Sequence, residues 1–455
     1  MAEKRDCLKI IDWVIGILLI VFTYLLGFTV EQNDFWKIIA FYSTFFFIYL
    51  MVIWKLQPFN RSTLYFFIGL SILLRLILVF SMPNLSNDVY RFIWDGRLMV
   101  QGYNPFDHLP LYYLENETGL KGITPQLYES FGSKNFYTVY PPVAQAQFGS
   151  ACWFFPQDAY WSSVFMKIWL FIFEIGTILL IIKLLNKFRL PDKNVLLYAL
   201  NPLILFEIMG NLHFEGAMIF FLLLAVWLFT VEKFNWSAVA FALSICSKLL
   251  TILFLPFFIK RIGWKSNIQY FLVVGISCVL LFLPIINTSF IYNFSDSLGL
   301  YFQKLEFNAS FYYFFRWVLF QITGYNQIAV LGPALGMVAA VLILYVAFVK
   351  QICKGERANV NWLHLIRYWL FAICIYLFCT TTMHPWYTAL PIVLCIFTNY
   401  RFPIVWSYLI FWTYINYKDE VYQEHLWVVI IEYLILFAWL VWEYRSNHKK
   451  VLSLR

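Results

Sequence analysis

Apolar runs close to the ~20 residues needed to cross a bilayer recur from one end of this 455-residue chain to the other. Within lipid every backbone N–H and C=O must find a partner inside the protein, which restricts a spanning chain to helices or a closed barrel. The runs are continuous rather than alternating, so the barrel is excluded. Hydrophobic residues make up 62% of the chain and charged residues 13%, about half the ~25% of a soluble domain. The sequence therefore predicts an all-α polytopic membrane protein forming one domain over 1–455. About 12 transmembrane helices are expected, near 10–30, 36–54, 64–82, 164–182, 195–210, 216–231, 267–286, 327–349, 361–382, 386–399, 403–416 and 426–443. Ile10–Val30 is too long for a signal-peptide core and has no small-residue cleavage site, so it reads as a retained first helix.

The net charge of +8 is explained by where the cations fall. In this topology 21 of the 33 Lys and Arg residues lie in segments on one side, among them Lys183, Lys187, Arg189, Lys193, Lys233 and Lys265. This is the positive-inside bias; it reports orientation and does not point to nucleic acid. Trp236–Ile259 carries Lys233 before it, Lys260 and Arg261 after it, and Ser247-Lys248 near its middle. A single crossing would put Lys260, Arg261 and Lys265 on the wrong side. A re-entrant hairpin keeps both ends inside and lifts Lys248 across, and such broken backbone is tolerated where it lines a cavity. The termini are then cytoplasmic, and the large segments 83–163 and 287–327 face outward, the second with an aromatic stretch, Phe307–Phe320, suited to lie along the membrane. Most cysteines fall within spans or, like Cys7 and Cys353, on the cytoplasmic side, so no disulfide framework is indicated.

The outward segments hold the residues that could do chemistry. Ser86 is suited to cap a helix ending at Gly102 and Asn104-Pro105, on which Asp88, Arg91 and Asp95 share one face while Val89 and Phe92 can dip into lipid. Asp88 reads either as a general base taking the proton of an acceptor hydroxyl, or as an anion beside a helix N-terminus on a solvated amphipathic helix. Glu207, His213 and Glu215 cluster at one turn, able to bind sugar hydroxyls or simply polar residues at the interface; their spacing is a weak metal signal. Lys248 in an apolar run needs a partner or a wet cavity, and a lipid phosphate would suit it. Arg75 and Arg367 are explained by helix pairing or snorkelling. Arg316 is a second phosphate candidate or an aromatic-belt anchor. His384-Pro385-Trp386-Tyr387 can hold a phosphate or stack on a sugar, or is an aromatic belt at a bent helix end. The sequence has no nucleotide-binding loop.

In order along the chain, Asn87-Asp88-Val-Tyr-Arg-Phe-Ile-Trp-Asp95-Gly96, Gly102-Tyr-Asn104-Pro105-Phe106, Tyr140-Pro141-Pro142, Asn211-Leu-His213-Phe-Glu215, Lys248 before Leu255-Pro256, Phe307-Asn308-Ala-Ser310 and His384-Pro-Trp-Tyr387 resemble the GT-C glycosyltransferases. The nearest resemblance is to bacterial polyprenol-phosphate-mannose-dependent mannosyltransferases and, more distantly, the eukaryotic enzyme adding the first mannose of GPI anchors. It implies an inverting transferase without metal or other cofactor, multi-pass in the bacterial cytoplasmic membrane with its site facing outward. Its partners would be a polyprenyl-phosphate sugar donor, a lipid or glycan acceptor and membrane lipids. Asp88 would be catalytic, with Arg91, Asp95, Tyr140, Glu207, His213, Glu215, Lys248, Arg316, His384, Trp386 and Tyr387 around the substrates. Glu215 stands where an Asp is expected, and two helices precede those of the simplest members. A lipid-linked-sugar flippase is the alternative; it would show Lys248, Arg75 and Arg367 along one polar path.

Overall fold

The computed structural model describes residues 8–54, 60–117, 119–259, 263–349, 361–419 and 421–453. The expected cytoplasmic markers Cys7, Cys353, Lys260 and Arg261 lie outside them. Among the described residues the chain is all helical, with one isolated parallel bridge between Phe307 and Thr382. Eight helices among the described residues are long and apolar enough to span a bilayer: Ile10–Phe28, Phe35–Trp54, Arg61–Val79, Ala159–Lys187, Trp264–Phe282, Ile328–Phe348, Trp362–Cys379 and Leu426–Asn447. Ile204–Gly210 and Glu215–Thr230 together are also long and apolar enough, but are bent by 109° where they join. The regions expected as spans near 386–399 and 403–416 are short helices joined to 3-10 turns, over Pro385–Cys395 and Phe402–Tyr417. Pro385 and Pro403 stand in the first turns of two of these short elements, where a missing N–H is tolerated.

The segment 236–259 is a hairpin. Its first arm ends at Ser247, Lys248 is extended (φ −159°, ψ 133°), and a 3-10 arm Leu249–Phe258 follows. Phe229, at the far end of Glu215–Thr230, packs on Phe234 at the start of the first arm and on Phe258 at the end of the second, at 4.9 and 6.0 Å. Tyr270 touches the Phe229 and Phe258 rings and bonds Ser237 as well. Both hairpin ends therefore lie together, and the tip at Lys248 reaches Glu215, one helix length (roughly 24 Å) away.

The helix Asp88–Val100 is a buried strut and not the lipid-dipping helix that its pattern suggests. Phe92 stacks on Phe148 at 4.7 Å and meets Phe214 edge-on at 5.3 Å, and Val89 is equally enclosed by protein. Asn87 holds the N-cap position, while the Ser86 hydroxyl accepts from the Asp88 N–H at 3.3 Å. Gly96 lets this helix pack directly on Pro142–Phe154: a Cβ there would lie 2.5 Å from the Phe148 carbonyl oxygen and 2.7 Å from Cys152 Sγ.

Two cations enclosed in the bundle, Arg75 and Lys167, have protein partners. Arg75 Nε donates to Glu174 Oε2 at 3.0 Å, and Arg75 Nη1 to the carbonyls of Ser71 and Ala199, while the Tyr198 hydroxyl donates to Glu174 Oε1 at 2.7 Å. Both ions are fully enclosed. Lys167 caps the C-terminal end of Arg61–Val79 through the Leu78 and Ser81 carbonyls and the Ser81 hydroxyl. These contacts fix the helix that leads into Asp88 against Ala159–Lys187.

Two stability predictions follow from this packing. Gly96→Ala should destabilise the protein by about 1–3 kcal/mol through overpacking against backbone. Glu174→Ala, which strands the Arg75 guanidinium in the bundle, should cost about 3–5 kcal/mol. Thermal unfolding in detergent micelles measures both; an unchanged melting temperature for either variant would contradict the packing described.

Candidate functional site

A cavity of about 310 Å³ opens where the Asp88 helix, the hairpin tip and the segment 376–387 converge. Asp88, Tyr140, Lys248, His384, Trp386 and Tyr387 line it, as does Arg91. His213, Glu207 and Glu215 stand directly behind this lining.

Asp88 is the first residue of its helix and half-buried at the wall. Withdrawal from water raises its pKa above the ordinary carboxylate value. The charges of His213 and Lys248 and a hydrogen bond from Tyr140 oppose the rise, while Glu215 adds to it. Tyr140 is carried by the loop 133–141, and that loop is what Arg91 and Asp95 serve. Arg91 Nη1 donates to the Ser133 and Phe136 carbonyls at 2.8 and 2.9 Å, and Arg91 Nε to Asp95 Oδ1 at 2.9 Å. Gln145 bridges Asp95 Oδ2 and the Thr138 hydroxyl. Asp95 is wholly enclosed, so its shared face with Asp88 secures the loop and does not open onto the cavity.

Lys248 marks the hairpin break and pairs with Glu215, which is fully buried while Lys248 is 21% exposed. Its ammonium also lies 4.9 Å over the Tyr387 ring. The partner of the intramembrane lysine is thus a carboxylate at the N-terminus of Glu215–Thr230, and the remaining ammonium surface faces the cavity.

Glu207 and His213 flank a strained turn. Ile204–Gly210 is a π-helix, a form that recurs at functional sites. Leu212 has φ 64°, a left-handed conformation that costs a branched residue energy and is held by its surroundings. Glu207 accepts from Tyr414 at 2.7 Å and from Asn211 at 3.1 Å, and lies 3.5 Å from His213 Nε2. The His213 ring stacks on Trp386 at 3.7 Å, Trp386 on His384 at 4.4 Å, and His384 on Phe307 at 4.7 Å. With an imidazole on each face, Trp386 offers the cavity its edge and has no free face for a sugar ring. Burial, then the charges of His213 and Lys248, lower the His384 pKa to about 3. His384 is accordingly neutral at physiological pH, and able to donate from one ring nitrogen and accept at the other.

Phe307 is placed by the bridge to Thr382: Phe307 N–H donates to the Thr381 carbonyl at 3.0 Å and Met383 N–H to the Phe307 carbonyl at 2.7 Å. Arg316 stands apart from the cavity lining. It pairs with Glu306 and lies 4.4 Å over Tyr313, whose hydroxyl bonds Glu424.

The structure adds residues that the sequence did not single out: Gln32, Ser297, Tyr376, Thr380, Tyr414 and Tyr417 also line the cavity. Tyr414 sits in an aromatic-rich apolar stretch that reads as a span and Tyr417 directly follows it, so nothing distinguishes them from belt residues. Gln32 lies in the short turn between the first two helices.

Comparison with protein families places this geometry. Residues 28–262, just over half the chain, match the family model for the N-terminal domain of alpha-(1->6)-mannopyranosyltransferases. The match covers Asp88, Tyr140, Glu207, His213, Glu215 and Lys248, while His384, Trp386 and Tyr387 lie beyond it. No curated protein matches the sequence. The chain belongs to the alpha-(1->6)-mannopyranosyltransferase (MptA_B) family and is an integral-membrane mannosyltransferase.

Proposed function

We propose that the protein transfers mannose from a polyprenyl-phosphate donor to a lipid-linked or glycan hydroxyl at the extracytoplasmic face, with inversion. The observation that carries this is one cavity lined by a carboxylate, Asp88, a lysine, Lys248, and a histidine, His384. Asp88 accepts the proton of the acceptor hydroxyl, whose oxygen bonds to the anomeric carbon. The bond from that carbon to the phosphate oxygen breaks, and its electron pair leaves with the polyprenyl phosphate. Lys248 and a ring N–H of His384 stabilise the charge developing on the phosphate. The raised pKa makes Asp88 a stronger base than an exposed carboxylate, nearer the optimum for a general base. Tyr140, fixed through Arg91 and Asp95, orients that carboxylate, and Glu207 and Glu215 hold His213 and Lys248 in place.

The orientation rests on charge. Lys233 and Lys265 lie by the two ends of the hairpin, the face expected to be cytoplasmic. The tip with Lys248 and the segments 83–163 and 287–327 are then extracytoplasmic. A membrane-lateral donor suits a site whose floor is a re-entrant hairpin. The flippase alternative lacks its polar path, since Arg75 is enclosed and engaged by Glu174, Ser71 and Ala199.

Asp88→Asn keeps the side-chain shape and removes the base. Turnover of polyprenyl-phosphate mannose in proteoliposomes should fall about 10²–10⁴-fold with the variant still monodisperse. Turnover within a few fold of wild type would remove Asp88 from the role. The pH profile gives a second test. Activity needs the carboxylate, so kcat/KM should decline as pH falls through the raised Asp88 pKa. Lys248→Gln removes a cation that favours the carboxylate, and the acid limb should move to higher pH. A limb that stays in place or moves down would contradict the coupling.

A further inference from the structure

The helices Ile10–Phe28 and Phe35–Trp54 carry none of the groups assigned above, yet the turn joining them reaches the site. Gln32 lines the cavity with Asp88. Its Nε2 donates to the Leu85 carbonyl at 3.0 Å, three residues before the base. The same Leu85 donates its N–H to Asn211 Oδ1 at 3.2 Å, and Asn211 in turn donates to Glu207. The lead into Asp88 is therefore held between the first helical pair and the strained turn at Leu212.

The turn is built to sit there. Gly27 allows its helix to meet Arg61–Val79 closely, since a Cβ at that position would lie 2.6 Å from a Leu78 methyl. Asn84 Nδ2 donates to the Gly27 carbonyl at 3.4 Å, and an Asp34–Lys37 ion pair closes the turn. Phe35, almost fully buried, packs against Trp412. Beyond its bond to Leu85, the Gln32 carboxamide oxygen and second N–H have no protein partner among the described residues, and the side chain is half-exposed at the cavity. A carboxamide offers one acceptor and one donor there, the pair of groups that a sugar hydroxyl can meet at once.

We propose that Gln32 is a specificity-determining residue, whose carboxamide reads one hydroxyl of the sugar seated beside Asp88. The proposal rests on the mannosyl-transfer reading and deepens it, by making the first helical pair part of the substrate site. Once a bound sugar covers the carboxamide, an analogue that lacks the hydroxyl leaves it without that partner and is discriminated against.

The test compares wild type with Gln32→Ala on two series. The first is polyprenyl-phosphate mannose and its monodeoxy donors. The second is octyl mannoside and its monodeoxy acceptors, leaving out the one without the attacking hydroxyl. In wild type one analogue should lose about tenfold in kcat/KM through its missing hydrogen bond. In Gln32→Ala that penalty should shrink to about one while the penalties of the other analogues persist. A merely structural role would scale the whole series together. The series in which the penalty vanishes tells whether the hydroxyl belongs to donor or acceptor. Identical penalties in both proteins across both series would overturn the proposal. Should Gln32→Ala fail to fold, Gln32→Met keeps the chain length without the amide and reads the same ratios. Absence of mannose transfer by wild type would instead overturn the transfer reading, and this proposal with it.

Discussion

The ion pair between Lys248 and Glu215 is the contact on which the site depends. A lysine in an apolar run can persist only if its charge is met, and a helix can break inside the bundle only where its freed backbone finds partners or water. Lys248 meets both conditions at one residue. Its extended backbone ends the first arm of the hairpin, and its ammonium is held by a carboxylate at the start of the preceding helix, Glu215–Thr230. Because Glu215 is wholly buried and Lys248 is not, the pair is fixed on one side and reachable from the other. Glu215 also begins the helix that follows the strained Leu212 turn, so the position of the lysine and that of His213 are set together.

Around that pair the polar groups are layered. Asp88, Arg91 and His384 face the cavity, while Asp95, Glu207 and Asn211 stand behind and hold loops or rings in position. The stack His213–Trp386–His384–Phe307 crosses between elements far apart in the chain and closes one side of the cavity. Dispersion and quadrupole attraction between rings of this kind contribute about 0.5–1.5 kcal/mol per pair beyond their burial. They also keep His384 out of water, the first cause of its low pKa.

Much of this was legible in the sequence, for a physical reason. In a chain with so few charges, each intramembrane or interfacial ion has to be explained, and Asp88, Glu207, His213, Glu215, Lys248 and His384 stood out on that ground alone. The hairpin was legible too, because a single crossing would set Lys265 on the side opposite Lys233, against the positive-inside bias. Helical periodicity, however, says which residues share a face and not what covers that face. Asp95 was read on one face with Asp88 and Phe92 as dipping into lipid, whereas Pro142–Phe154, drawn in by Gly96, buries both. Glu174 and Glu432, buried in apolar helices, gave no sign of their partners Arg75, Tyr198, Asn308 and Trp406, which come from distant segments. Gln32 and Tyr414 were hidden for the same reason: a turn glutamine and a belt tyrosine gain meaning only from what is folded against them.

The central claim is that this cavity receives mannose from a lipid phosphate and not from a nucleotide. Purified protein in liposomes, given radiolabelled polyprenyl-phosphate mannose or nucleotide-activated mannose with a membrane extract as the source of acceptor, tests it directly. The account expects label to leave the lipid carrier and enter product, with the nucleotide sugar untouched. Transfer from the nucleotide sugar, with the lipid-linked mannose unconsumed, would contradict it.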